Sequence, residues 1–404
     1  MSGDQRARHD DAGTPGEVFR AFLKLGLTSF GGPIAHLGYF RDELVQRRRW
    51  VSETSYADLV ALCQFLPGPA SSQVGFALGL LRAGLPGALL AWAAFTLPSA
   101  LLLFAFALGA DAFGGPLGQS VIHGLKLVAV AVVAHAVWGM ARSLCPDRER
   151  AGIAVAAVLI VVFLPGAFAQ IAAILAGALA GRWLCRDVAA TDGSHLGVAL
   201  SPRAGSALLA VFAALLLGLP LLLLAWPTPL LALFEIFYRA GALVFGGGHV
   251  VLPLLESRVV ATGLVGADAF LAGYGAAQAI PGPLFTFSAY LGAVMSPTGG
   301  SLLGAALALG GIFLPGMLLL LGVLPFWDRL RALQPARAVM AGTNAAVVGI
   351  LGAALYQPVW TSAVRGPEDF ALALTAFALL AVWRLPPWLI VALTVAGAVL
   401  VDLI

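Results

Sequence analysis

The chain has 404 residues, of which 60% are hydrophobic and 11% are charged, and its formal net charge is +3. A soluble domain carries about 25% charged residues, and a chain of this size cannot hide so much apolar surface from water. The composition excludes an ordinary soluble protein and predicts a polytopic membrane protein in a lipid bilayer. Nothing in the charge balance indicates a nucleic-acid partner.

In chain order, the polar residues 1–17 lack an apolar core and predict a short disordered tail rather than a signal peptide. A first transporter repeat is expected over 18–184, a polar linker rich in Gly, Ser, Thr and Asp over 185–205, and a second repeat over 206–404. The basic stretch 41–50 is too charged to span and predicts an interfacial helix or loop. Several apolar segments, such as 56–66, 69–80, 266–280 and 283–295, are shorter than the ~20 residues of a spanning helix.

The two halves repeat one another. Seven residues from Phe19 to Gly32 match residues of the same or similar type from Phe234 to Gly247 at a constant offset of 215. The motif Gln-x-x-Pro-Gly-Pro at Gln64–Pro69 recurs at Gln278–Pro283, at an offset of 214. Ordered matches with so little drift predict two homologous halves. The fold class expected is an all-α membrane protein of two halves, as inverted repeats with broken or re-entrant helices, since a basic cluster at 47–49 has no counterpart in the second half.

The Pro-Gly-Pro motifs predict breaks inside the membrane. Proline lacks an N–H and clashes with the preceding turn, so the motif ends one helix and starts another. Pro69 and Pro283 suit the first turn of the new helix, whose free N–H groups and positive dipole end favour an oxyanion. The glycines of "SFGGPIAH" and "VFGGGHVV" predict a second pair of breaks, whose amides can hold an anion.

We therefore predict one site at the repeat interface. Its substrate contacts would come from Lys24, Ser29, Gly31, Gly32, Gln64, Gly68, Ser71 and Ser72, and from Arg239, Gly246, Gly247, Gln278, Gly282 and Thr286. The structural breaks would be Pro33, Pro67, Pro69, Gly248, Pro281 and Pro283. His249, which has no histidine counterpart, and Glu256 are the candidates for proton coupling.

Each assignment has a plainer alternative. The Pro-Gly-Pro turns and the glycine breaks would also serve simply to pack helices closely. Lys24 and Arg239 would equally extend to the membrane interface. His249 would equally be a satisfied structural histidine.

The motifs also carry a family resemblance. "FLKLGLTSFGGP", "QFLPGP" and "GFALGLLRAGLPGALLAWAAFTLPSALLL" resemble the chromate ion transporter family, as do "FGGGHVVLPLLE" and "QAIPGPLFTFSAYLGA" of the second half. The likeness covers about residues 16–400 and is to the family's long two-domain form, the chromate efflux proteins. It implies efflux of chromate across the bacterial inner membrane, chromate resistance, sulfate as competitor and use of the proton motive force.

The residues favour a transporter over other classes of function. A secondary transporter needs no cofactor, and no cofactor is expected; a channel, or a transporter of another oxyanion such as sulfate, is the alternative. An enzyme is not expected, because there is no His-Glu-x-x-His, Gly-x-Ser-x-Gly or Walker-type motif. The three cysteines show no metal-ligand spacing. A homodimer is left open.

Overall fold

The computed structural model describes residues 13–29, 32–109, 115–164, 168–185, 200–244, 250–295 and 300–403. These residues are largely helical, and no strand occurs among them. Within these ranges, five helices are long and apolar enough to cross a membrane: Ala70–Leu108, Leu117–Leu144, Pro202–Ala225, Leu302–Phe326 and Gln334–Ala363. The predicted all-α polytopic membrane protein is confirmed.

The first half contains seven α-helices in the described ranges. They are α1 (Pro15–Thr28), α2 (Gly32–Phe40), α3 (Glu53–Phe65), α4 (Ala70–Leu108), α5 (Pro116–Leu144), α6 (Arg148–Phe163) and α7 (Phe168–Leu184). The basic stretch predicted to be an interfacial helix or loop continues α2 as a π-helix, Arg41–Arg47.

The second half follows the same order after one additional helix, α8 (Pro202–Ala225). It contains α9 (Pro229–Leu243), α10 (Val251–Val259), α11 (Ala267–Ala279), α12 (Phe287–Val294), α13 (Leu302–Val323), α14 (Trp327–Ala332), α15 (Gln334–Ala354), α16 (Thr361–Ala363), α17 (Pro367–Ala381) and α18 (Pro387–Leu403). A 3₁₀ turn, Leu284–Thr286, precedes α12.

Two helical hairpins open the first half, one of α1 and α2 and one of α3 and residues 70–82 of α4. Trp50, just before α3, donates from Nε1 to Glu17 Oε1 in α1 at 3.0 Å. Arg82 Nη2 lies 3.2 Å from the other carboxylate oxygen of Glu17. The starts of α1 and α3 and the return of the chain at residue 82 therefore lie together, at an end of the molecule that we call face 1.

A sharp bend divides α4 into residues 70–82 and 85–108. Gly84 has φ 65° and ψ −161°, a conformation that favours glycine. The two sections pack directly, because a Cβ added to Gly79 would lie 2.5 Å from the carbonyl oxygen of Gly87. Gly300, which precedes α13 at the equivalent position, has φ 61°. Both halves thus end their second hairpin at a glycine before a long helix.

The hairpins of the second half are α9 with α10 and α11 with α12. Arg258 Nη2 in α10 donates to Glu235 Oε2 in α9 at 2.9 Å. The Tyr290 hydroxyl in α12 donates to the carbonyl of Ala269, near the start of α11, at 3.0 Å. The chain therefore turns back in each pair, as in the first half.

The helix α8 places the second-half hairpins at the opposite end of the molecule. Its start packs on the end of α13, where a Cβ added to Gly205 would lie 2.8 Å from the carbonyl oxygen of Gly322. The end of α13 also joins the buried cluster of the first-half hairpins, through Leu320, Val323, Leu324 and Trp327. Both ends therefore lie at face 1. A helix of 24 residues is about 36 Å long, so α9 starts at the other end, face 2, which is the arrangement that the prediction of inverted halves requires.

The remaining helices pack around the hairpins. The helix α5 runs from face 2, where Lys126 pairs with Asp268 at the start of α11. His123 Nε2 lies 2.7 Å from Asp369 Oδ1, at the start of α17. The helices α6, α7 and α15 also pack closely, and Gly177 and Gly342 bring α7 and α15 into backbone contact.

Candidate functional site

The helix breaks of the two halves meet and cap one another. The main-chain amide of Gly68 donates to the carbonyl of Val244 at 2.7 Å, and that of Gly282 donates to the carbonyl of Ser29 at 2.9 Å. Ser29 and Val244 are equivalent residues that follow α1 and α9. Each Pro-Gly-Pro turn therefore supplies the amide that satisfies the broken helix of the other half.

Both central glycines have a conformation that requires glycine. Gly68 has φ 126° and Gly282 has φ 106°. A Cβ at Gly68 would lie 3.0 Å from Gly316 Cα, and one at Gly282 would lie 2.7 Å from Ser99 Oγ. Ser99 and Gly316 follow the equivalent prolines of α4 and α13, so each turn packs against the long helix of the other half.

The prolines lie slightly differently from the expectation. Pro69 is the residue before α4, and Pro283 is the residue before the 3₁₀ turn, so neither stands in the first turn of its helix. The first described hydrogen bond of α4 runs from the Gln73 amide to the Pro69 carbonyl at 2.9 Å. Pro33 is the second residue of α2. Pro67 and Pro281 lie in the turns themselves.

A buried polar set surrounds the Gly282 turn. His36 of α2 is fully buried, and its Nδ1 lies 3.3 Å from Ser71 Oγ at the start of α4. The His36 ring also lies near the main chain of Ser29 and packs edge-on against Phe95 with 5.2 Å between ring centres. Ser29, His36, Ser71, Ser99 and Gly282 thus come together from both halves.

Several atoms of this region are buried without a partner among the described residues. They include the hydroxyls of Ser29 and Ser72 and His36 Nε2. A buried polar atom without a hydrogen bond costs roughly 1–3 kcal/mol, so such a cluster indicates a place that a ligand or water occupies. Hydroxyl groups can donate to an anion, and an imidazole N–H can do the same.

The matching positions around Gly68 are apolar. Val244, Val251, Phe285 and Gly316 stand where Ser29, His36, Ser71 and Ser99 stand in the other set. The Gln73 side chain fills this region, since its Nε2 donates to the carbonyls of Gly316 at 2.9 Å and Pro67 at 3.1 Å. The backbone geometry of the breaks is symmetric, but at these four positions the hydroxyl and imidazole groups surround the Gly282 turn only.

The remaining predicted residues near the breaks differ in their surroundings. Gln64 is exposed on α3, whereas Gln278 is buried and its Nε2 has no partner in the described part of the chain. The Thr286 hydroxyl donates back to the Pro283 carbonyl at 2.7 Å. Gly32 begins α2 with φ 77°. Gly31, Gly246, Gly247, Gly248 and His249 lie outside the described residues.

Lys24 and Arg239 each pair with a buried glutamate. Lys24 Nζ lies 2.8 Å from Glu43 Oε2, and Glu43 also pairs with Arg47 at 3.0 Å and Arg48 at 2.8 Å. Arg239 Nη2 lies 2.5 Å from Glu235 Oε1, and the other oxygen of Glu235 pairs with Arg258. Neither glutamate was predicted from the sequence, although each lies four residues before an arginine, Arg47 or Arg239. Glu256 is half-buried on α10, outside these pairs.

Metal chemistry has no support in the described ranges, where no group of His, Cys, Asp and Glu could hold an ion. Cys63, Cys145 and Cys185 are free.

Comparisons with known proteins agree with this architecture. A family described as "Chromate transporter" matches residues 16–182 and 231–400, one region in each half. The chain is 30% identical to a chromate transport protein of Pseudomonas aeruginosa, over 94% of this chain and 90% of that protein. It is 29% identical to a chromate transport protein of Cupriavidus metallidurans, over 95% of this chain and 91% of that protein. No solved structure matches the chain.

Proposed function

Because this chain belongs to the chromate transporter family, we propose that it exports chromate from the cytoplasm across the bacterial inner membrane and thereby confers chromate resistance. The chain is a multi-pass membrane transporter and not an enzyme, and its substrate is an oxyanion. The outward direction of transport, the location in the bacterial inner membrane and the chromate resistance are our proposals.

The observation that supports a site at the breaks is the polar set around Gly282. His36, Ser29 and Ser72 contribute buried atoms without a partner among the described residues, and Ser71 is the second residue of the helix that follows the first Pro-Gly-Pro turn. The amides at such a helix start carry partial positive charge. In our proposal the anion binds between these hydroxyls, the imidazole and the start of α4, and Gln278 and Thr286 extend the site from the second half.

Export of a dianion is favoured by the membrane potential. Moving one charge across 100 mV releases about 2.3 kcal/mol, and therefore roughly 4.6 kcal/mol for two charges leaving a negative interior. No cofactor is needed for this driving force. Proton coupling through His249 or Glu256 stays a proposal, as does a homodimer.

The reciprocal capping supports alternating access by movement of one half against the other. In inverted-repeat transporters, the site lies at the interface of the repeats and access alternates as one repeat rocks. Here Gly68–Val244 and Gly282–Ser29 are main-chain links between the described residues of the two halves at that place. We propose that the two links are held while the hairpins of each half open in turn.

Another oxyanion is the second candidate. Hydroxyl and imidazole donors do not distinguish chromate from sulfate, which has the same shape and charge. The polar set around Gly282 consists of such donors. A channel is the remaining alternative.

The test is uptake of chromate into inside-out vesicles that contain this chain. An inside-positive potential and a pH gradient are imposed separately, with sulfate as the competitor. We expect saturable uptake that requires a gradient and is lost in the Pro67→Ala/Pro281→Ala variant. Absence of uptake by folded, inserted protein would return the substrate to unknown, and flux at channel rates would favour a channel.

A further inference from the structure

The distribution of arginines between the two faces is strongly unequal. The chain can be followed helix by helix from face 1 to face 2 and back. The helix ends and loops at face 1 then carry Arg41, Arg47, Arg48, Arg49, Arg82, Arg142, Arg148, Arg150, Arg182, Arg203, Arg329, Arg337 and Arg384. Face 2 carries Arg258 and Arg365 among its described residues. Short cytoplasmic loops of membrane proteins are rich in Lys and Arg. Face 1 is therefore assigned to the cytoplasm, and the second-half hairpins open to the exterior.

A cavity of about 90 Å³ lies between α7, α9 and α10 of this outer half. Its polar lining consists of Gln170, Arg239, Ser257 and Arg258, and its apolar lining includes Leu243. Leu243 precedes Val244, whose carbonyl receives the Gly68 amide. The cavity thus reaches from the arginines to the residue beside the helix break.

The cavity has an excess of positive charge. Glu235 is almost fully buried and is the shared partner of Arg239 and Arg258, so two cations and one carboxylate leave a net charge of +1. Each guanidinium has five N–H donors. The described bonds to Glu235 use Nε and Nη2 of Arg239 and Nη2 of Arg258. Further donors remain for a second acceptor, and guanidinium groups suit oxyanions.

We propose that this cavity is an outward-facing oxyanion site, occupied by the exported anion between the helix breaks and the exterior. This inference rests on the proposed export function. Its cytoplasmic counterpart is Glu43, where Lys24, Arg47 and Arg48 surround one carboxylate and leave a net charge of +2. The net positive charge thus decreases from the loading side to the release side. The buried glutamate competes with the anion for both arginines, so a bound anion is not trapped.

The test is cysteine labelling at the cavity. Ser257→Cys is introduced into the full chain after its three native cysteines have been replaced, and a membrane-impermeant thiol reagent is applied to intact cells and to inside-out vesicles. We expect labelling from the exterior only, and sulfate is expected to slow it. Thr262→Cys, on the exposed turn after α10, is the matched position and should be labelled from outside without protection by sulfate.

Two further substitutions define the site. Arg258→Gln in the Ser257→Cys protein should weaken protection by sulfate roughly tenfold or more, because one charged hydrogen-bond donor is lost. Arg365→Gln removes a cation from the same face outside the cavity and should leave the protection unchanged. The labelling is repeated in nanodiscs of phosphatidylcholine and of phosphatidylglycerol, which distinguishes binding of the free anion from binding of a lipid phosphate. Protection that depends on the lipid and not on sulfate overturns the proposal.

The remaining outcomes separate this proposal from the proposed function. Labelling of Ser257→Cys from the cytoplasmic side only would overturn the orientation, and labelling from outside without sulfate protection would overturn the site. Either result can coexist with chromate uptake into inside-out vesicles by the same protein. Failure of that uptake would instead remove the export function on which the inference rests.

Discussion

The main-chain amide of Gly282 donates a 2.9 Å hydrogen bond to the carbonyl of Ser29, in the opposite half of the chain. Gly68 makes the equivalent bond to Val244 at 2.7 Å. Unpaired main-chain groups are costly inside a membrane, and re-entrant backbone occurs there only when protein or water satisfies it. The two halves meet this requirement for one another, and the exchange explains why each contains one Pro-Gly-Pro turn and one broken first helix.

Gly282→Ala should reduce both stability and transport. The residue has φ 106°, and an added Cβ would lie 2.7 Å from Ser99 Oγ. Strain of this kind costs roughly 1–3 kcal/mol. Gly218→Ala in α8 is the control, because a Cβ there meets nothing within 4 Å and alanine favours a helix by about 0.5–1 kcal/mol. Thermal unfolding in detergent measures both variants; equal stability of the two would contradict the assigned backbone conformation.

His36→Gln and Ser71→Ala should weaken chromate affinity while leaving the protein folded. A hydrogen bond to a charged partner contributes roughly 1.5–3 kcal/mol, which corresponds to about a tenfold to hundredfold rise in KM for transport. His135→Gln is the control, since His135 is exposed on α5. An unchanged KM in both site variants, with normal uptake, would exclude the polar set around Gly282 as the anion site.

Gln73→Ala should have the opposite pattern, although Gln73 lies two residues from Ser71. Its side chain bonds the carbonyls of Pro67 and Gly316 on the apolar side of the breaks. Its loss leaves these acceptors without that donor, which costs roughly 1–3 kcal/mol of stability. We expect a lower unfolding temperature with KM for chromate unchanged. A rise in KM as large as that of Ser71→Ala would show that both turns bind the anion.

Asp369→Ala should destabilise the contact between α5 and α17. Asp369 Oδ1 lies 2.7 Å from His123 Nε2, and its other oxygen accepts the Arg365 amide at 2.9 Å. Leaving the buried imidazole and the main-chain amide without their shared acceptor costs roughly 1–3 kcal/mol for each group. The exposed neighbour substitution Glu368→Gln is the control. A double-mutant cycle with His123→Ala, followed by chemical unfolding, should give a coupling of at least about 1 kcal/mol; additive effects would contradict the pairing.

Much of the architecture follows from the sequence because it depends on backbone chemistry. Proline and glycine at matching offsets specify where helices stop, so the broken hairpins and the two halves were predictable. The partners of Lys24 and Arg239 were not. Their glutamates, Glu43 and Glu235, stand at positions that do not match between the halves: the counterpart of Glu43 is Arg258, and that of Glu235 is Arg20. Matching of equivalent positions therefore does not reveal these clusters, because their acidic and basic residues occupy different positions in the two halves.

His36 was not predicted as a site residue for a related reason. Its counterpart is Val251, and a single histidine in an apolar segment has no pattern to distinguish it from a structural one. The sequence favoured His249 instead as a candidate for proton coupling, because His249 lies in the glycine break of the second half. The contact that distinguishes His36 joins residues of α2 and α4 that are 35 positions apart, and only the tertiary structure brings them together.

The reciprocal capping has a consequence for how the protein is made. When the first half has been inserted, the carbonyl of Ser29 and the amide of Gly68 still lack the partners that Gly282 and Val244 will provide. Its two hairpins therefore cannot reach their final arrangement until the second half has been translated and inserted at least as far as Gly282. Each half expressed alone should be a substrate for membrane proteases, whereas the two halves co-expressed as separate chains should assemble and protect one another. The covalent linker would then serve mainly to keep the two halves in equal number.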